Sequence, residues 1–145
     1  MNIFYHFTTK DLAHPIKIEG LTLGMTPTRN GFVTMTQWLT KDGDPMNQEG
    51  LKGPRSIYDR TEARVKVNIP DPFMKKVYSF DDFCEQFDEL YGRELLPDFN
   101  TFPELSKHWF VFVGLIPASW IQNVRYYHQG PAKLPPLAAS AIRRR

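Results

Sequence analysis

Of the twelve prolines, those at positions 15, 27, 45, 54, 70, 72, 97, 103 and 117 punctuate the body of the chain, and they limit its fold more than any other feature. In a helix interior a proline removes one backbone donor and clashes with the carbonyl four residues back. Short elements joined by irregular loops are therefore expected, rather than a helix bundle. Within that frame residues 61–69, TEARVKVNI, alternate most cleanly. Ala63, Val65, Val67 and Ile69 form an apolar face and Glu62, Arg64, Lys66 and Asn68 a polar one, until Pro70-Asp71-Pro72 ends the run. A period of two residues is the mark of a strand with one buried face.

Residues 31–39, GFVTMTQWL, read as another strand, with Phe32, Thr34, Thr36 and Trp38 on one face and Val33, Met35 and Gln37 on the other. Residues 109–115, WFVFVGL, are apolar on both faces and suit a central strand. At the start, Phe4, His6 and Thr8 share one face of a short strand and Tyr5 and Phe7 the other. Thr8 or Thr9 can cap a helix that runs to Glu19 and stops at Gly20, although Pro15 implies a kink or a later start. Ser79 caps a second helix, which carries Asp81 and Asp82 in its first turn. Its Phe80, Phe83, Cys84, Phe87, Leu90 and Tyr91 lie at helical spacing, and Gly92 terminates it.

Residues 21–25 read as a brief extended piece, 26–30 as a loop with an Asn30-Gly31 turn signal, and 40–58 and 94–106 as irregular. Residues 117–121 suit one helical turn opened by proline, and 124–128 a last strand. Strands and helices do not alternate regularly. The expected class is α+β, a split, twisted sheet, mixed or antiparallel, with a few short helices.

At 145 residues the chain has the size of one domain, placed at 1–130, with a Pro/Ala-rich basic tail at 131–145 that is expected to be mobile. Lys133 and Arg143, Arg144 and Arg145 lie in that tail; without these four, 14 of the 18 basic residues remain against 16 acidic ones. So the body is not expected to be a generic binder of phosphate backbones, and any anion must meet local arginines and lysines. The longest mainly apolar run, residues 109–117, is too short to cross a membrane, and the N-terminus has no basic segment followed by an apolar one. A cytoplasmic protein with no membrane partner is expected. One cysteine and four scattered histidines have no metal-ligand spacing, and Cys84 reads as core.

Taken in order, Tyr5-His6-Phe7-Thr8, the helix ending at Glu19-Gly20-Leu21, the strand Val33-Thr34-Met35-Thr36, and residues 113–121 (VGLIPASWI) followed by Val124 resemble the ADP-ribosyltransferase superfamily. That group also includes RNA 2′-phosphotransferases and DarT-like nucleic-acid modifiers. The resemblance covers residues 4–124 and rests on the order and spacing of short motifs. It implies a split sheet whose cleft holds NAD, with His6 and Thr8 on the cofactor-binding motif and Thr34 and Thr36 on the opposite wall. A neutral imidazole and a hydroxyl can hydrogen-bond ribose hydroxyls or the nicotinamide amide without adding charge. Arg60 or Arg64 would offer a pyrophosphate its fork of donors, and His6 and Arg64 are expected to face one cleft.

The chain departs from the family pattern twice. The aromatic that stacks on nicotinamide would fall at Thr34, with Trp38 as its substitute. The acid of the late strand would fall near His108, Trp109 or Phe110, none of them acidic, and Glu62 and Glu104 are the nearest replacements by type. The catalytic set implied is His6, Arg64 and Glu62. The implied activity is transfer of ADP-ribose to, or cleavage of NAD near, a protein or nucleic-acid acceptor, in a phage- or toxin-related setting. Two alternatives remain: a non-catalytic module of the same fold that binds a macromolecular partner, and an RNA 2′-phosphotransferase-like enzyme. The plainer reading of Glu62 and Arg64 is a solvated strand face with cross-strand ion pairs, and that of His6 a hydrogen-bonded core residue.

Overall fold

The computed structural model describes residues 1–48, 60–97, 99 and 108–127. The proposed tail at 131–145, Glu104 and most of the 40–58 loop lie outside the described residues. In chain order the elements are β1 (Ile3–Thr8), α1 (Lys10–Glu19), β2 (Met25–Thr28), β3 (Gly31–Thr34), β4 (Thr36–Thr40), β5 (Ala63–Asn68), β6 (Val77–Ser79), α2 (Phe80–Tyr91), β7 (Trp109–Val113) and β8 (Ile121–Tyr126). The class is α+β: a six-stranded sheet in the order β6-β7-β4-β1-β5-β8, and a small β2-β3 hairpin. Every strand pairing among the described residues is antiparallel.

The alternation in residues 61–69 becomes β5, with Ala63, Val65 and Val67 fully buried and Arg64, Lys66 and Asn68 half-buried. On that apolar face Phe4, Leu39, Val65, Val67, Ile69 and Phe112 form one core with Leu21 and Ile116, and Ile16 of α1, Met74 and Trp120 pack onto it. The opposite face carries a second core, where Phe83 and Phe87 of α2 meet Val33 and Val111, with Trp38 and Tyr78 alongside. Adjacent residues of β7, Val111 and Phe112, belong to the two different cores. This follows from the two-residue period and explains why WFVFV is apolar throughout.

Residues 31–39 are not one strand. Met35 takes a left-handed φ of 61°, which breaks the run into β3 and β4. Two backbone bonds hold the break, Gly114 N–H to the Met35 carbonyl (2.7 Å) and Thr36 N–H to the Gly24 carbonyl (3.3 Å). The 26–30 segment expected as a loop is mostly β2, paired to β3 through Met25↔Thr34 and Thr28↔Gly31. The Asn30-Gly31 turn signal therefore marks a hairpin. The last strand begins at Ile121, earlier than expected.

Helix α1 runs through Pro15 and starts at Lys10. Thr9 occupies the cap position without a side-chain cap bond. Instead the carboxylate of Glu62 accepts from the Lys10 backbone N–H at 3.1 Å, an acid placed where the helix dipole favours it. Helix α2 follows its sequence signals: Ser79 Oγ accepts from Asp82 N–H, and Gly92 closes it in the left-handed conformation. No helix among the described residues is long and apolar enough to cross a membrane.

Candidate functional site

The two central strands of the sheet scarcely pair. β1 meets β5 along its whole length, from Ile3↔Asn68 to Thr8↔Ala63, but meets β4 in the single pair Tyr5↔Thr40. One step beyond that pair the backbone ladder is replaced by a side chain: His6 Nδ1 lies 2.8 Å from the Trp38 carbonyl oxygen. A carbonyl only accepts, so Nδ1 carries the proton and donates it. Burial lowers the pKa of His6, partly countered by that hydrogen bond, and the Arg60 cation lowers it further. The ring is thus neutral near pH 7, with its Nε2 lone pair an acceptor.

Thr8 projects on the same face as His6, buried, opposite Ala63. Arg60 is exposed and near enough for its charge to act on the imidazole. His6, Thr8 and Arg60 are therefore gathered at the end of the sheet where β1 and β4 part. Glu62 is buried beside the start of α1, its carboxylate on Lys10 N–H and its carbonyl accepting from Tyr127 N–H at 2.9 Å.

Arg64 is not in this group. It stands opposite Phe7 in the β1–β5 register, whereas His6 stands opposite Val65, so the two side chains leave opposite faces of the sheet. The expectation of a common cleft for His6 and Arg64 is corrected by this one-residue offset. On its own face the Arg64 guanidinium lies 4.7 Å from the centre of the Tyr5 ring, and its Nη1 donates to the Gly43 carbonyl at 3.0 Å. Its Nε is buried and unpaired. A Cβ on Gly43 would meet the Tyr5 ring at 2.9 Å and Arg64 Nη1 at 3.1 Å, so glycine is what lets the loop close over this stack.

Thr34 does not share a wall with Thr36 and Trp38, because the break at Met35 puts it on β3 and them on β4. Thr34 is exposed on the hairpin. Thr36 is buried, its hydroxyl 2.8 Å from that of Thr26. Trp38 is the hub of an aromatic cluster, with Phe80, Phe83, Phe99 and Trp109 at centroid distances of 5.9, 5.8, 5.7 and 6.1 Å. Its backbone carbonyl, not its ring, reaches His6.

Gln37, which sequence reasoning passed over, is buried and bridges the base of the hairpin, accepting from Gly24 N–H and donating to the Gly114 carbonyl. Its place on the face shared with Val33 and Met35 gave no sign of this. An open depression of ≈ 290 Å³ lies elsewhere, lined by Thr28, Arg29, Asn30, Gly92, Arg93 and Glu94. Its cations are engaged: Arg29 pairs with Glu94, and Arg93 donates to the Phe32 carbonyl and to Thr28 Oγ1. It is a clamp that holds the hairpin to the end of α2.

Cys84 is half-buried, and burial with Asp81 nearby pushes its thiol up to about 11, which keeps it protonated near neutral pH. Among the described residues no cluster of His, Cys, Asp and Glu could hold a metal ion. Comparison with known proteins finds no matching family model, no matching curated protein and no matching solved structure.

Proposed function

We propose that the chain binds NAD where β1 and β4 part, and uses it as an ADP-ribosyltransferase-like protein, transferring ADP-ribose to a protein or nucleic-acid acceptor or cleaving NAD. The observation that carries this reading is His6: its Nδ1–H is fixed on the Trp38 carbonyl at the point where the β1–β4 ladder stops. Fixing one nitrogen leaves Nε2 as an oriented acceptor suited to a ribose hydroxyl. Thr8 adds a hydroxyl on the same face, and Arg60 a cation suited to a pyrophosphate oxygen.

In such a reaction the bond from the ribose C1′ to the nicotinamide nitrogen breaks with its electron pair leaving on nicotinamide. The acceptor, having lost a proton, bonds to C1′. The residues named here bind and orient the dinucleotide. A carboxylate to steady the developing positive charge on the ribose is not supplied by His108, Trp109 or Phe110, and Glu62 is engaged at the start of α1. That observation favours a second reading, a module that binds NAD or a macromolecular partner without catalysis. The RNA 2′-phosphotransferase alternative needs several cations converging on one phosphate, and Arg64 points away from Arg60's neighbour His6.

Calorimetric titration with NAD tests the proposal. Ligand at 100 times its dissociation constant should stabilise the fold by about 2.7 kcal/mol. His6→Asn is the informative variant, because its amide can still donate to the Trp38 carbonyl while lacking Nε2. It should weaken NAD binding by about 1 kcal/mol, one hydrogen bond. Binding without release of nicotinamide points to the module reading, and no heat at millimolar NAD removes the proposal.

A further inference from the structure

The β2–β3 hairpin turns one face inward and leaves the other exposed and apolar. In the register Met25↔Thr34, Thr26↔Val33, Pro27↔Phe32 and Thr28↔Gly31, the side chains of Thr26, Thr28 and Val33 are buried, so Met25, Pro27, Phe32 and Thr34 project from the opposite side. Leu95 bridges to Thr28 and packs inward on the core under α2. Its neighbour Leu96, whose N–H donates to the Pro27 carbonyl at 3.2 Å, is exposed and widens the outward side. Leu23 and Met35 flank this side in the chain. Leu23, Met25, Phe32, Met35 and Leu96 are between 41% and 79% exposed, and they are five of the thirteen large hydrophobic side chains exposed among the described residues.

Met35 adds a second observation. It takes a left-handed φ of 61°, a conformation in which glycine or asparagine is less strained. Exposed as it is, its side chain gains little by packing within one chain. At about 200 Å² for each large side chain, the five contribute roughly 500 Å², the upper range of what a monomer leaves open in one patch. Two such faces together would bury about 1,000 Å², the lower limit for a specific interface.

Charge decides what the face suits. Residues 25–28 and 31–35 include no ionisable side chain. At the border Arg29 and Glu94 neutralise each other, and Arg93 is turned onto the Phe32 carbonyl and Thr28 Oγ1. A nucleic acid or an anionic lipid surface needs free cations to meet it, and a partner of high net charge finds no complement here. A second copy of the same face meets it without opposing like charges.

We propose that this face packs on itself in a weak two-fold dimer of the chain, with Met25 and Phe32 at its centre. A two-fold contact uses one patch twice, and the uncharged hairpin permits that. The proposal does not depend on NAD binding, and its test contains no NAD.

The test is sedimentation velocity of the full chain from about 5 to 500 µM. An interface of this size should give a reversible monomer–dimer equilibrium with a dissociation constant of roughly 10–100 µM. Phe32→Asp sets like charges against each other across the axis and should weaken association about tenfold or more, with the melting temperature of the dilute protein nearly unchanged. Mixing Phe32→Asp with Phe32→Lys chains should restore association. Thr34→Lys, at an exposed position on the same face, gives the same direction as Phe32→Asp if the latter folds poorly. The proposal is overturned by a monomer at the highest concentration, by a dimer indifferent to Phe32→Asp and Thr34→Lys, or by a mixture that associates no better than either charged variant alone. A chain that stays monomeric and instead sediments with phosphatidylcholine vesicles assigns the face to a lipid surface and overturns the second copy.

Discussion

The two ends of the six-stranded sheet are built differently. The β4–β7–β6 end is covered on both sides: one face packs into the core around Phe112, and the other into the aromatic core under α2. The β5–β8 end is covered by α1 on one side and on the other carries half-buried Lys66 and exposed Arg125, with Arg64 held under the Gly43 loop. The first end spends its side chains on packing, the second on display. His6 stands at the seam, where β1 pairs fully with β5 and barely with β4. The molecule's stability and its binding surfaces should therefore respond to different substitutions.

The largest effect should come from the covered end. Phe83 is fully buried and within ring contact of Trp38, Tyr78, Phe87 and Tyr91. Phe83→Ala should cost about 3–5 kcal/mol in urea unfolding, the lost transfer energy plus the cavity left behind. A loss under about 1 kcal/mol would mean that this end collapses around the gap, and the contrast between the two ends would fail.

Thr36 comes next. Its hydroxyl and that of Thr26 are buried and satisfy each other. Thr36→Val strands the Thr26 hydroxyl and should cost about 1–3 kcal/mol, while adding Thr26→Val should recover most of it. Failure of the second substitution to rescue the first would place the cost in packing.

These two sites differ in how far the sequence announced them. Phe83 was visible, because helical spacing, the Ser79 cap and Gly92 all point to one amphipathic helix. The β5 alternation was equally plain, since both burial and residue type repeat every two positions. Thr36 was misplaced because GFVTMTQWL alternates smoothly across Met35, and only long-range bonds from Gly114 and Gly24 impose the left-handed turn there. The face of Arg64 was readable from alternation alone, but its partner Arg125 was not. Cross-strand neighbours depend on register, and register is fixed here by the whole sheet. For the same reason the sequence suggested that His6 and Arg64 meet, and the one-residue offset separates them.

Acid should act at the seam. Burial holds the His6 pKa below 6.5, so the unfolded chain takes up the proton first. Stability should then fall as pH drops below about 6.5, and level off once the folded imidazole also titrates. The slope has this sign because the unfolded state binds more protons in that window. His6→Asn, which does not titrate, should show a flatter dependence of melting temperature on pH between 7 and 5. An identical profile would assign the acid sensitivity to other groups.

The smallest effect is expected at the β5–β8 end, and its salt dependence matters more than its size. Arg125→Gln removes a like charge directly opposite Arg64, which favours the fold, and also removes the stack on Tyr127, which opposes it. Each contribution is a fraction of a kcal/mol at an exposed site, so the net change should stay within about 0.5 kcal/mol. Salt separates the two, because repulsion is screened while ring contact largely persists. Raising the salt from 50 mM to 1 M should therefore stabilise the parent chain relative to Arg125→Gln. If Arg125→Gln instead costs more than about 1 kcal/mol at every salt concentration, Arg125 is packing after all. The β5–β8 end would then be a second structural surface, and the contrast between the two ends would fail.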